Sequence, residues 1–258
     1  MSYSKLTTKY IPASAKNYSR GRAGKKVIKI TPHHMAGNLS IEELGKLWQN
    51  PKRAASSNYG IDSRGRIGCY VDEENRSWCS SSAANDNVAI TIEVANDSGA
   101  PNWHISDKAI ESLVKLSIDI CKRYGIKKIN YTGNANGNLT EHRYFVATLC
   151  PGPYMHNLMP SIAKRINDGL APAPSDGFLP AKGYWCRYDK DNRVSQLATF
   201  MRKTFPTYTP TAALGPVYGD NLWKSIKEFQ RRVGLGTDGN TGPKTYEKLK
   251  EYGFKYKK

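Results

Sequence analysis

The sequence predicts an α/β protein with a mixed central sheet flanked by helices, followed by a small three-helix C-terminal domain. Three observations carry this. First, apolar, β-branched runs at 27–31 and 88–94 read as strands, the second so continuously apolar that it belongs at the centre of a sheet. Second, segments of helical periodicity alternate with such runs up to about residue 167. Third, a Pro/Gly/Asp-rich stretch, DGLAPAPSDGFLP, separates them from three further helical segments. The expected boundaries are a first domain at 1–168, a linker at 169–180 and a second domain at 181–258.

Residues 1–25 are polar and Gly/Ser/Lys-rich, the composition of a loosely held arm. After the first strand, Ser40-Ile41-Glu42-Glu43 has the capping-box pattern and starts a helix to about Trp48, which Asn50-Pro51 ends. Residues 57–71 read as two strands around a turn at Asp62-Ser63-Arg64-Gly65. Ser106 caps a helix over 107–124. Its inner stripe is Ile110, Leu113, Val114, Ser117, Ile120, Cys121 and Tyr124, and Gly125 ends it. A further short strand is expected at 126–131, a loop at 132–138 and a helix at 158–167. In the C-terminal part, helices are expected near 193–203, 220–233 and 243–252.

The chain has 258 residues, 39% of them hydrophobic, which is enough for a packed core. No run approaches the ~20 apolar residues of a membrane span. The basic N-terminal residues precede no apolar core of a secretory signal, so cytoplasmic synthesis is expected. Formal net charge is +17, and residues 180–258 carry sixteen Lys and Arg against seven Asp and Glu. Such a balance favours an anionic partner: nucleic acid, lipid head groups or an acidic wall polymer. Charge alone does not choose among them, but no nucleic-acid recognition motif is present. The five cysteines, 69, 79, 121, 150 and 186, are odd in number and not closely paired, which argues against a disulfide framework.

Chemistry concentrates in EHRYFVATLCPGPY at 141–154, where His142 and Cys150 stand eight residues apart. Imidazole and thiolate are both good zinc ligands, and a site needs three or four. The third is expected from the pair His33-His34 that ends the first strand; we take His33, with His34 as the alternative. Three protein ligands leave a position for water, whose pKa zinc lowers from ~15.7 towards ~7. Amide hydrolysis also needs a group to move the water's proton, and Glu93, near the end of the central strand, is the candidate.

These motifs resemble the zinc-dependent N-acetylmuramoyl-L-alanine amidases, which share a fold with peptidoglycan recognition proteins and bacteriophage T7 lysozyme. The resemblance covers about residues 25–168. It rests on strand-His-His at 27–34, SSNYGIDSRGRIG at 56–68, Arg76-Ser77-Trp78, AITIEVAN at 89–96 and His-x7-Cys-Pro-Gly at 142–152. It implies a zinc ion on His33, His142 and Cys150, Glu93 as the catalytic carboxylate and Thr148 as an oxyanion stabiliser. It further implies substrate contacts at His34, Asn58 and Trp78. Two positions depart from the pattern: Ser57 stands where some members have a catalytic Tyr, and Cys79 where relatives often have His. Residues 223–249 resemble a helical peptidoglycan-binding repeat, through Phe229-Gln230, Gly234-Leu235, Asp238-Gly239, Gly242, Thr245 and Leu249. The resemblance implies an endolysin released to the wall by a holin. It would hydrolyse the bond between N-acetylmuramic acid and L-alanine, with peptidoglycan as partner and neither nucleic acid nor a membrane. The alternative is a non-catalytic peptidoglycan-recognition protein.

Overall fold

The structure, a computed structural model, describes residues 3–170 and 176–258. The chain divides into two compact units, Met1–Ile166 and Asn167–Lys258. The first holds strands β1 (Lys9–Tyr10), β2 (Tyr18–Ser19) and β3 (Lys29–His34), helix α1 (Ile41–Gln49), and strands β4 (Tyr59–Ile61), β5 (Ile67–Cys69) and β6 (Arg76–Ser77). Helix α2 (Ala83–Asp86), strand β7 (Ala89–Val94), helix α3 (Asp107–Tyr124), a single 3-10 turn (His142–Tyr144) and helix α4 (Gly152–Leu170) follow.

Five strands form one sheet in the order β1-β5-β4-β7-β3. The β4–β5 hairpin is antiparallel and the other pairs are parallel, so the sheet is mixed as predicted. The apolar run at 88–94 becomes β7, flanked on both sides and buried at every position except Glu93, which is partly exposed. Strand β3 is longer than the sequence pattern and carries both histidines. Pro32 fits within it because β3 is the sheet's edge, where a missing N–H breaks no ladder.

The capping box at Ser40 and Glu43 closes as read. Helix α3 begins on the Ser106 cap and ends where Gly125 adopts φ 69, and its inner face buries Ile110, Leu113, Val114, Ile120 and Cys121. Tyr124 stands apart from that stripe and donates its hydroxyl to Glu73. The strand expected at 126–131 does not form. Asn138 occupies its backbone groups instead, accepting from Asn130 N–H and donating to the Lys128 carbonyl. Asn138 and Thr140 then bond to Ile30, so they take the place beside β3. Helix α4 starts earlier than predicted, directly after Cys150-Pro151. Pro151, Gly152 and Pro153 lie at its entry, where a missing N–H costs nothing.

In the second unit, α5 (Asn192–Thr204), α6 (Asp220–Arg232) and α7 (Pro243–Glu251) enclose a core of Leu197, Met201, Leu222, Ile226, Phe229 and Leu249. Residues 171–175 of the expected linker lie outside the described residues. Its ends differ from the compositional reading: α4 runs to Leu170, and Phe178 and Leu179 are buried in the C-terminal core. No helix among the described residues is long and apolar enough to cross a membrane.

Candidate metal centre and cleft

Successive side chains of a strand point to opposite faces, so β3 separates its two histidines. His33 turns towards the 3-10 turn and the start of α4. Its ring centroid lies 4.8 Å from that of His142, and its Nδ1 lies 3.5 Å from Cys150 Sγ. The donor atoms of His33, His142 and Cys150 all fall within 4.8 Å of one another. His34 joins no such group. It packs edge-on to Trp103, with ring centroids 5.5 Å apart, and beside the backbone of Gly152. A Cβ on Gly152 would come within 2.9 Å of the His34 ring, and φ is 79 there, so the turn into α4 requires glycine.

Burial holds the His33 imidazole well below its ordinary pKa, and the His142 and His34 rings add to the effect. Burial also lowers His142, opposed by its bond to the Ser80 backbone. Both rings are therefore neutral, with lone pairs to offer. The Nε2 atoms of His33 and of His142 are buried without a hydrogen-bond partner. Burial pushes the Cys150 thiol upward, and a cation reverses that bias by favouring thiolate. Two imidazoles and one sulfur converging within 4.8 Å are a donor set that fits a metal ion of zinc's preferences.

Glu93 lies across from His33 on the neighbouring strand, its Cα the direct partner of the His33 Cα. Desolvation raises its carboxyl to about 8, while the Cys79 thiol donor and the Arg53 charge pull the other way. The Cys79 Sγ stands 3.6 Å from Glu93 Oε1. His33, Cys79 and Glu93 also bring donor atoms within 4.8 Å of one another. Cys79 and Glu93 open onto a cleft of about 510 Å³ lined also by Trp48, Arg53, Arg76, Trp78 and His142. Trp78 lines this cleft, with its Nε1 donating to Ser19 Oγ at 2.9 Å.

Other expectations meet a different geometry. Asn58 is fully buried and cannot touch a substrate. Its Nδ2 donates to the Val71 carbonyl at 3.1 Å, and its Oδ1 accepts from Thr91 N–H and Ser77 Oγ, both at 3.2 Å. Its amide thus ties β4 to β7 rather than reading a ligand. Ser57 is likewise buried and accepts from Trp48 Nε1. Thr148 is partly exposed, and its Oγ1 accepts from the Cys150 N–H at 3.2 Å, shaping the turn that presents the sulfur.

Sequence reasoning missed the supports. Glu141, next to His142, is fully buried and accepts from Tyr131 OH at 2.6 Å and Tyr144 OH at 2.9 Å. It also meets His156 Nδ1 at 3.0 Å and pairs with Arg143 at 3.1 Å. Asp86 accepts from Cys79 and Ser80 N–H groups, which fixes the segment that runs beside His142. The adjacency of Glu141 to His142 was visible, but only the fold shows that the carboxylate turns inward.

Residues 23–153, more than half of the chain, match the N-acetylmuramoyl-L-alanine amidase family, and the chain belongs to that family. Residues 208–249 match a putative peptidoglycan binding domain. The chain is 20% identical over 225 residues to N-acetylmuramoyl-L-alanine amidase CwlL of Bacillus licheniformis, covering 80% of this chain and 59% of that protein. It therefore spans about three fifths of that curated relative's length. Among solved structures, PlyL is 15% identical with a TM-score of 0.47, over 62% of this chain and 96% of that one. The Staphylococcus aureus hydrolase AmiA, in complex with its ligand, is 16% identical with a TM-score of 0.47, over 65% of this chain and 83% of that one.

Proposed function

We propose that this chain is a zinc-dependent N-acetylmuramoyl-L-alanine amidase that hydrolyses the amide between the lactyl group of N-acetylmuramic acid and L-alanine in bacterial peptidoglycan. The observation that carries this reading is the convergence of His33, His142 and Cys150 beside a partly desolvated carboxylate, Glu93, within a family of that activity. Zinc held by the three side chains supplies Lewis acidity at the scissile carbonyl and to a water.

Glu93 takes the proton of the attacking water and returns it to the departing L-alanine nitrogen. Burial raises the carboxyl's affinity for that proton, so it can hold one between the two transfers. The Cys79 thiol, directed at Oε1, keeps the carboxylate facing the cleft. Thr148 spends a lone pair on the Cys150 backbone and keeps its own O–H for a developing oxyanion. Trp48 and Trp78 give the cleft apolar walls against which a sugar or peptide packs. The C-terminal unit holds the enzyme on the insoluble polymer and raises its effective concentration there. An endolysin role, with synthesis in the host cytoplasm and release through a holin, belongs to the same proposal.

Mass spectrometry of products from purified cell walls tests it. Free lactyl carboxylates on the glycan, with matching new L-alanine amino termini, are the expected products. Cleavage confined to glycosidic bonds or peptide cross-links would overturn the assignment.

A further inference from the structure

We propose that Arg53 recognises a free carboxylate on the peptide of the substrate, close to the scissile amide. This rests on the amidase reading above and narrows the substrate class within it.

Arg53 is exposed on the wall of the cleft that also contains Glu93 and His142. Among the described residues it forms no ion pair within bonding distance; its backbone bonds to the Asn50 carbonyl, its guanidinium contacts Trp48, and its charge is felt by Glu93. The other charged side chains of the cleft each have a side-chain or backbone partner. The Arg76 guanidinium donates to Ser19 Oγ at 2.8 Å and lies against Trp78. Asp86 accepts from Ser80 and Cys79, and Glu93 from Cys79. Among the described residues of the cleft, Arg53 is thus the charged side chain whose polar atoms have no hydrogen-bond or ion-pair partner.

That guanidinium is held in place by a built support. Asn17 is fully buried, and its Nδ2 donates to the carbonyls of Trp48 at 2.7 Å and Asn50 at 2.8 Å. Its Oδ1 accepts from the Ala54 N–H at 3.1 Å, so one side chain clamps both ends of the loop that carries Arg53. Within the clamp Ala54 takes φ 53, a left-handed conformation that a residue with a Cβ rarely adopts unless its surroundings impose it. The Arg53 Cζ rests 5.9 Å from the Trp48 ring centroid, and that ring is itself pinned to Ser57 Oγ. A guanidinium whose loop and stacking surface are set in advance loses little entropy on binding, and its planar fork matches a carboxylate.

The test is isothermal titration of the zinc-loaded 258-residue chain with two ligands, N-acetylmuramoyl-L-alanyl-D-glutamate and its α-amide, N-acetylmuramoyl-L-alanyl-D-isoglutamine, which share a free γ-carboxylate and differ only at the α-carboxylate nearest the scissile amide. A Glu93→Gln background keeps both intact. A charge-assisted bond predicts that the acid binds at least roughly tenfold tighter than the amide. Arg53→Gln should bring that ratio to about 1 by weakening the acid, and Arg53→Lys should restore part of it, a point charge without the fork. Equal affinity of the two ligands, binding of neither, or a ratio unchanged in Arg53→Gln overturns the assignment. Cleavage is read separately with Glu93 intact. Selectivity in binding without cleavage of either ligand would refute the amidase reading and still support Arg53 as the carboxylate receptor.

Discussion

Glu93 and His33 are direct cross-strand partners, Cα opposite Cα in the parallel pair β7–β3. Parallel partners share a face of the sheet, so the register alone brings the carboxylate to the same side as the imidazole. A slip of one residue would send Glu93 to the opposite face and place Ile92 or Val94 beside His33.

The first prediction concerns turnover. Glu93→Gln should keep one zinc per chain, because the carboxylate is not among the three converging ligands, while the rate of wall hydrolysis falls by about 10²–10⁴. Zinc content by plasma mass spectrometry, together with a turbidity assay on suspended walls, checks both halves. Loss of zinc in this variant would make Glu93 a ligand.

Metal binding should be tied to stability. A ligand that binds only the folded state contributes RT ln(1 + [L]/Kd), about 4 kcal/mol at a thousandfold excess over Kd. For a unit of this size that raises the melting temperature by on the order of 10 °C. Cys150→Ala should abolish both the zinc-dependent shift and activity. A shift in melting temperature that survives Cys150→Ala would place the ion elsewhere.

Glu141 should matter without touching substrate. Glu141→Ala leaves Tyr131, Tyr144 and Arg143 without their buried acceptor, at a cost of about 2–4 kcal/mol by chemical denaturation. The loosened His142 segment should weaken zinc by about 10–100-fold in a competition assay with a chromogenic chelator. Wild-type zinc affinity in the variant would show that His142 needs no such anchor.

The C-terminal unit carries an acid-sensitive contact. The Arg193 guanidinium, pairing with Asp191 at the start of α5, holds that carboxyl down at about 2. A carboxyl depressed in the folded state stabilises it above its unfolded pKa of ~3.9, and that stability is lost as pH falls through about 2. Because the pair is partly solvated, its contribution is roughly 1 kcal/mol. Asp191→Asn should keep the helix cap and flatten the unfolding free energy between pH 4 and 2, followed by far-UV circular dichroism. An unchanged slope would show that the pair contributes nothing.

Much of this was legible in the chain itself. The apolar continuity of 88–94 marked a central strand, the Ser40 and Ser106 caps marked helix starts, and Gly125 marked a helix end, because these signals are local and depend on side-chain chemistry over a few residues. His-x7-Cys and the His-His pair point to candidate donors for the same reason: ligand chemistry belongs to the residue type. The motif around Asn58 says nothing of which way the side chain points, and the structure turns it inward beside β7 rather than towards a substrate. The strand expected at 126–131 was lost to Asn138, a partner eight residues from Asn130.

The sequence by itself determined the kinds of atoms available: two imidazoles, a thiol and a carboxylate, on segments whose local propensities it also encoded. Only the tertiary structure decided which imidazole of the pair meets the sulfur, because strand alternation and the β3–β7 register select His33 over His34. It also decided that Glu141, Cys79 and Arg53 belong to the site. Burial and convergence are properties of distant segments brought together, and no stretch of chain contains them.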